Sequence, residues 1–162
     1  MHIAGYTFAQ GLAAAPMAGV TDRVFRALCR MLGASVTTAE MVSARPELRA
    51  TRKSQLRLDQ DGEPAPRIVQ IAGGDVADLV HAARVNADDG AHIIDINMGC
   101  PAKKVCRKAA GSALMADEDR VAAILDGVAN AVDIPVTLKM RTGVSADRRN
   151  AVAIARRAEQ AG

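Results

Sequence analysis

The sequence predicts a parallel α/β fold. Short aliphatic runs alternate with longer stretches of helical periodicity. Asp, Thr and Gly residues punctuate the junctions, where helices begin and loops turn. Hydrophobic residues make up 49% of the chain and aromatic ones only 2%, so the core must be built from Ala, Val, Ile, Leu and Met. Strands alternating with helices in this way imply βαβ units.

The elements follow in order. Residues 12–17 read as a strand. Thr21 or Asp22 then caps a helix that buries Val24, Phe25, Leu28 and Leu32 at helical spacing and stops at Gly33. Residues 35–38 are a β-branched run, a second strand. The stretch 41–66 is rich in Arg, Asp and Gln and reads as a short helix with a polar loop. Residues 67–71 form a strand, Gly73-Gly74 turns, and Asp75 caps a helix toward Asn86 with Leu79, Val80 and Ala83 inward. Residues 92–97 form the next strand, followed by a basic loop to about Ala113. Asp117 caps a helix with Val121, Ile124, Leu125 and Val128 on one face. Residues 135–140 are a strand, and Asp147 opens a last helix.

About five such units fit either a doubly wound open sheet or a (β/α)8 barrel. Five units do not close a barrel, so on that reading this is the N-terminal part of something larger. Composition narrows the function. Base-stacking surfaces need more aromatics than Tyr6, Phe8 and Phe25. The aliphatic content argues against disorder. No uninterrupted apolar run reaches the roughly 18 residues of a membrane span, and the N-terminus lacks the pattern of a signal peptide. Three cysteines without an export signal point to a reducing, cytoplasmic setting. The net charge of +3 fits an acidic partner such as nucleic acid.

In either architecture, function gathers where strands end. The first exit reads Pro16-Met17-Ala18-Gly19-Val20-Thr21. Its small residues suit a tight turn, or a close approach of backbone to a ligand. Gln70 is a polar residue inside the apolar run Ile68-Val69-Gln70-Ile71. A buried amide needs partners, either on a neighbouring strand or on a cofactor ring. The next exit reads Asp95-Ile96-Asn97-Met98-Gly99-Cys100-Pro101. Asp95 and Asn97 share one face of the strand, and Cys100 sits on a turn just past its end. Lys103, Lys104, Arg107 and Lys108 follow with no acid among them, as a solvated loop or a phosphate-contacting one. Five residues separate Cys100 from Cys106, and no second pair or nearby histidine completes a zinc or iron–sulfur site. Lys139 lies within an apolar strand, with Arg141 two residues on. They serve either an ion pair with Asp95 or a ligand that is anionic or electron-rich.

Taken together, Pro16-Met17-Ala18-Gly19-Val20-Thr21-Asp22, Val69-Gln70-Ile71-Ala72-Gly73, Asp95-Ile96-Asn97-Met98-Gly99-Cys100-Pro101-Ala102-Lys103-Lys104-Val105, Ala110-Gly111-Ser112-Ala113-Leu114 and Lys139-Met140-Arg141-Thr142-Gly143 occur in one order. That ordered set strongly resembles the tRNA-dihydrouridine synthases, in the bacterial DusB-like branch. The resemblance runs from about Leu12 to Gly162. It implies a TIM (β/α)8 barrel catalytic domain, of which residues 1–162 supply about the first five βα units. The later barrel strands and a helical tRNA-binding domain are expected outside this sequence.

The resemblance further implies a cytoplasmic, metal-free enzyme, monomeric at full length. It would bind FMN, take electrons from NADPH and reduce the C5–C6 bond of particular uridines in tRNA. Hydride goes from the flavin to C6. Cys100 matches the family's proton donor to C5, a role open to a thiol that is protonated at neutral pH. Pro16, Met17 and Ala18 are expected under the flavin, with Gln70 and Lys139 on its ring. Asn97 and Arg141 match active-site positions. Lys103, Lys104, Arg107 and Lys108 are expected to point outward to tRNA phosphates. A flavin reductase of small pyrimidines shares this chemistry, but the Lys-rich run favours tRNA. The family's flavin-phosphate grip lies beyond residue 162, so this chain alone is expected to hold FMN weakly and to be inactive.

Overall fold

The computed structural model describes residues 1–3 and 5–162. Strands β1 (His2–Ile3) and β2 (Tyr6–Thr7) pair antiparallel. Every later pairing is parallel. β3 (Ala13–Ala14) lies beside β4 (Val36–Thr37), and β5 (Val42–Ser43), β6 (Ile68–Ala72), β7 (Ile93–Met98) and β8 (Val136–Met140) form a sheet in that order. A bridge from Thr38 to Ile68 ties the end of β4 to β6. Strand neighbours therefore follow chain order, without the reversal that marks a doubly wound sheet. Among the described residues, β8 has no second neighbour and the sheet stays open.

The helices are α1 (Arg23–Met31), α2 (Arg52–Leu58), α3 (Val76–Asp88), the single turn α4 (Lys103–Cys106), α5 (Glu118–Ala129) and α6 (Ala151–Ala161). Side-chain caps set three starts where the sequence predicts them. Asp22, Asp75 and Asp117 accept the backbone N–H groups of Phe25, Asp78 and Arg120.

Strand side chains alternate between two faces. On one face Ile71, Ile94, Ile96 and Met98 pack against Leu79 and Ala83 of α3, Val121 and Ile124 of α5, and Ile154 of α6. This is the main core, and it takes the predicted inward residues of α3 and α5. Among the described residues, the other face carries no helix of that core. Low on it, Ile68 and Ile93 join Phe8 and Val36 in a small second cluster, against which Ile3 and Tyr6 of the β1–β2 hairpin pack. Above them the same face turns polar.

Four expectations need correction. The first strand spans two residues instead of six, because Met17 already turns back: the Val20 and Thr21 amides donate to its carbonyl. The polar stretch 41–66 contains β5 and a 3-10 turn, Pro46–Leu48, as well as its helix α2. β5 is too short to show a period. The last helix starts at Ala151, not near Asp147; Asn150 precedes it and donates to Met115 O and Glu118 Oε1 at 2.8 Å each.

The fourth correction concerns α1. Its apolar stripe does not face inward: Val24 is 75% and Met31 84% exposed, with Leu28 and Leu32 also exposed and Phe25 half-buried. The helix is instead anchored by Arg26, which is fully buried. Its guanidinium donates to Thr21 O at 2.6 Å and Asp59 O at 2.8 Å and pairs with the Glu63 carboxylate. Helical spacing locates an apolar stripe but does not name what covers it.

These two environments predict opposite mutational costs. Ile96→Ala should lower unfolding free energy by about 2–5 kcal/mol, the cost of a core cavity. Met31→Ala should change it by less than about 0.5 kcal/mol, as at an open surface. Urea denaturation of the two variants measures both.

Candidate active site

The polar half of the inner face is built by register. Gln70 of β6 stands opposite Asp95 of β7, which stands opposite Thr137 of β8. One step along the same face, Asn97 stands opposite Lys139. Parallel pairing thus converts four spaced polar residues in three strands into two adjacent rows, together with the half-buried Lys139.

The rows are joined by hydrogen bonds. Thr137 Oγ1 donates to Asp95 Oδ1 at 2.7 Å. Gln70 Nε2 donates to Asp95 Oδ2 at 2.6 Å. Gln70 Oε1 accepts from Asn97 Nδ2 at 2.8 Å. Asn97 Oδ1 then accepts the Gly99 and Cys100 amides at 3.2 and 3.0 Å. The buried Gln70 amide therefore finds its partners on the neighbouring strand. Asn97 Nδ2 also lies 3.6 Å from Met41 Sδ.

The turn that follows carries the thiol. Cys100 is half-buried at the end of β7. Its carbonyl accepts the Ser112 amide at 3.0 Å and lies 3.6 Å from the Cys106 thiol. Gly111 sits so close that a Cβ there would lie 2.6 Å from Cys100 O. Its φ of +62° also disfavours any side chain. The expected basic loop is partly regular, with α4 and a 3-10 stretch, Gly111–Ala116. Lys103, Lys104, Arg107 and Lys108 are all exposed, and among the described residues none forms an ion pair.

The turn at residues 16–21 is held from beneath. Thr21 Oγ1 accepts the Met17 amide at 2.6 Å, and Glu40 Oε2 accepts the Gly19 amide at 2.6 Å. Arg57 pairs with the same Glu40 oxygen at 3.1 Å and donates to Met41 O at 3.0 Å. Met17 and Ala18 remain exposed and Pro16 half-buried. Glu40 and Met41 thus connect this turn to Asn97. Among the described residues the Lys139 ammonium has no ion-pair partner, so of the two alternatives the pair with Asp95 does not form. Arg141 is exposed just past β8. Sequence reasoning names neither Glu40, Met41 nor Thr137 as site residues. Thr137 carries the signal that found Gln70, a polar side chain alternating with apolar ones in a strand. Glu40 and Met41 carry none.

Burial pushes the Asp95 carboxyl above the ordinary carboxylate range, opposed by the hydrogen bonds from Gln70 and Thr137 and by the charge of Lys139. The unfolded chain ionises Asp95 at its usual value, so between the two the folded state binds more protons. Stability should therefore fall as pH rises from the ordinary carboxylate value through the raised one. Asp95→Asn should flatten that limb of a plot of unfolding free energy against pH.

Comparison with known proteins gives the family. Residues 13–162 match the family described as dihydrouridine synthase (Dus). Over the whole chain, the sequence is 62% identical to tRNA-dihydrouridine synthase B of Pseudomonas aeruginosa, 57% to that of Proteus vulgaris and 55% to that of Salmonella typhimurium. It covers 49%, 50% and 50% of those proteins, so the chain spans about half the length of the curated relatives it matches. On the family match and on identity across all its residues, the chain belongs to the dihydrouridine synthase family.

Proposed function

We propose that this chain is the N-terminal part of a flavin-dependent reductase that converts particular uridines of tRNA to dihydrouridine. One observation carries the reading. Cys100 and the buried Gln70–Asn97 pair meet at one strand mouth, beside four exposed cations that form no ion pair among the described residues. The names of the relatives support tRNA as the substrate class.

Residues 1–162 are read as the first part of a TIM (β/α)8 barrel, with the remaining strands and a helical tRNA-binding domain outside them. Strand order that follows the chain and a main core confined to one face support the barrel over the doubly wound alternative. No helix among the described residues is long and apolar enough to cross a membrane.

The inner face fits a flat ring with polar edges. It offers buried amides, an ammonium at Lys139 without an ion-pair partner among the described residues, and an exposed turn at Met17. Gln70, Lys139, Pro16, Met17 and Ala18 would hold FMN, which when bound and reduced by NADPH supplies hydride to C6 of the uracil ring. Cys100 holds the proton for C5. The Sγ–H bond breaks as the C5–H bond forms, and the thiolate left behind regains a proton from solvent. Asn97 holds the turn that presents the thiol, and Arg141 lies at the rim for the substrate. Lys103, Lys104, Arg107 and Lys108 grip phosphates while the target base leaves its stack to reach the site.

Two experiments test this on the full-length enzyme. Cys100→Ala should slow dihydrouridine formation in tRNA roughly 100- to 10,000-fold, the range for removal of a general acid, while the purified protein stays yellow. Undiminished turnover would remove Cys100 from the role, and reduction of free uracil in place of tRNA would favour a small-pyrimidine reductase. Replacing Lys103 and Lys104 by Gln should weaken tRNA binding. The slope of log affinity against log salt should fall by about one for each phosphate no longer neutralised.

A further inference from the structure

We propose that Asp95 and Thr137 are positioning residues that orient the Gln70 and Asn97 amides and, through them, hold the Cys100 turn. The inference rests on Cys100 as the proton donor, and it adds two residues that touch neither the thiol nor the substrate.

An amide side chain has nearly the same shape either way round, so its orientation is set by the groups it meets. In this structure both Asp95 carboxyl oxygens accept, Oδ1 from the Thr137 hydroxyl and Oδ2 from the Gln70 amide. Asp95 Oδ2, 2.6 Å from Gln70, therefore draws the Gln70 NH2 group toward itself. That leaves Gln70 Oε1 facing Asn97, which must present its own NH2 group, at 2.8 Å. Asn97 Oδ1 is then free to accept the Gly99 and Cys100 amides. Inverting either amide would place donor against donor inside the protein, and a buried donor without a partner is costly.

Thr137 completes the arrangement from β8. Its hydroxyl donates to Asp95 Oδ1 at 2.7 Å and keeps that carboxylate in register with Gln70. Asp95, Gln70 and Asn97 are all buried, at 7%, 1% and 6% exposure, so water has little access to replace a missing partner. The chain of bonds crosses three strands and ends on the backbone of the reactive turn. Stiffness at Cys100 is thus supplied by a carboxylate two strand positions before Asn97.

The test reads the thiol itself, in the full-length enzyme, and needs neither turnover nor RNA. Site-resolved alkylation by iodoacetamide reports Cys100, with Cys29 of α1 as an internal control. Amide hydrogen exchange reports Gly99 and Cys100. Asp95→Leu should raise Cys100 alkylation and the exchange of both amides roughly three- to tenfold, as for the loss of one hydrogen bond, with Cys29 unchanged. Asp95→Asn should stay near the native values, since its carbonyl can accept from Gln70 while its NH2 group faces the Thr137 hydroxyl. An unchanged Cys100 in Asp95→Leu, or a parallel rise at Cys29, would overturn the proposal. Should Asp95→Leu not fold, Thr137→Val decides: a rise at Cys100 alone supports the relay, and none refutes it. Because these readouts are independent of turnover, the two failures are distinguishable: an active Cys100→Ala enzyme would sink the catalytic assignment, and an unchanged Cys100 in Asp95→Leu would sink the relay.

Discussion

Parallel register among β6, β7 and β8 sets Gln70, Asp95 and Thr137 in one row and Asn97 beside Lys139 in the next. Side chains alternate along a strand, so a slip of one residue in β7 would bring Ile94 and Ile96 into the polar row and send Asp95 and Asn97 into the helix-facing core. The main core prevents this. Ile94, Ile96 and Met98 are fully enclosed against α3, α5 and the 3-10 stretch after α4. Hydrophobic burial on one face thereby enforces polar alignment on the other.

That coupling keeps the buried polar groups of the candidate site paired with one another. Polar groups buried beside a packed sheet must be satisfied within the protein, and here the satisfied chain runs from Thr137 to the backbone of Cys100. The opposing turn is fixed by a second set of buried groups. Glu40 accepts the Gly19 amide, and Arg26 holds the Thr21 carbonyl while paired with Glu63. A buried arginine left without its carboxylate would be strongly destabilising, so the turn and α1 share one support. The exposed cations of α4 stand apart from both sets and carry no structural duty within the described residues.

Much of this was legible in the sequence. The three Asp caps, the strands at β6 to β8 and the inward residues of α3 and α5 follow from local periodicity and capping chemistry, which act within a few residues. Gln70, Asp95, Asn97, Cys100 and Lys139 stood out as polar or reactive residues in apolar or strand-exit settings. Harder to read were elements too short to have a period, β3 and β5, and contacts between residues distant in sequence. Glu40 meets Gly19 across 21 positions, and Arg26 meets Glu63 across 37.

By itself, the sequence determined the parallel α/β class, the order of its main elements and the identity of the residues clustered at the strand exits. Those follow from side-chain periodicity, caps and the ordered motifs. The tertiary structure alone decided which partners those residues take. It joined Gln70 to Asp95 and Asn97, left Lys139 without a carboxylate partner among the described residues, and turned the apolar stripe of α1 outward. The reason is that a hydrogen bond or a buried contact depends on what lies opposite in space, and strand register and helix placement settle that only when distant segments pack.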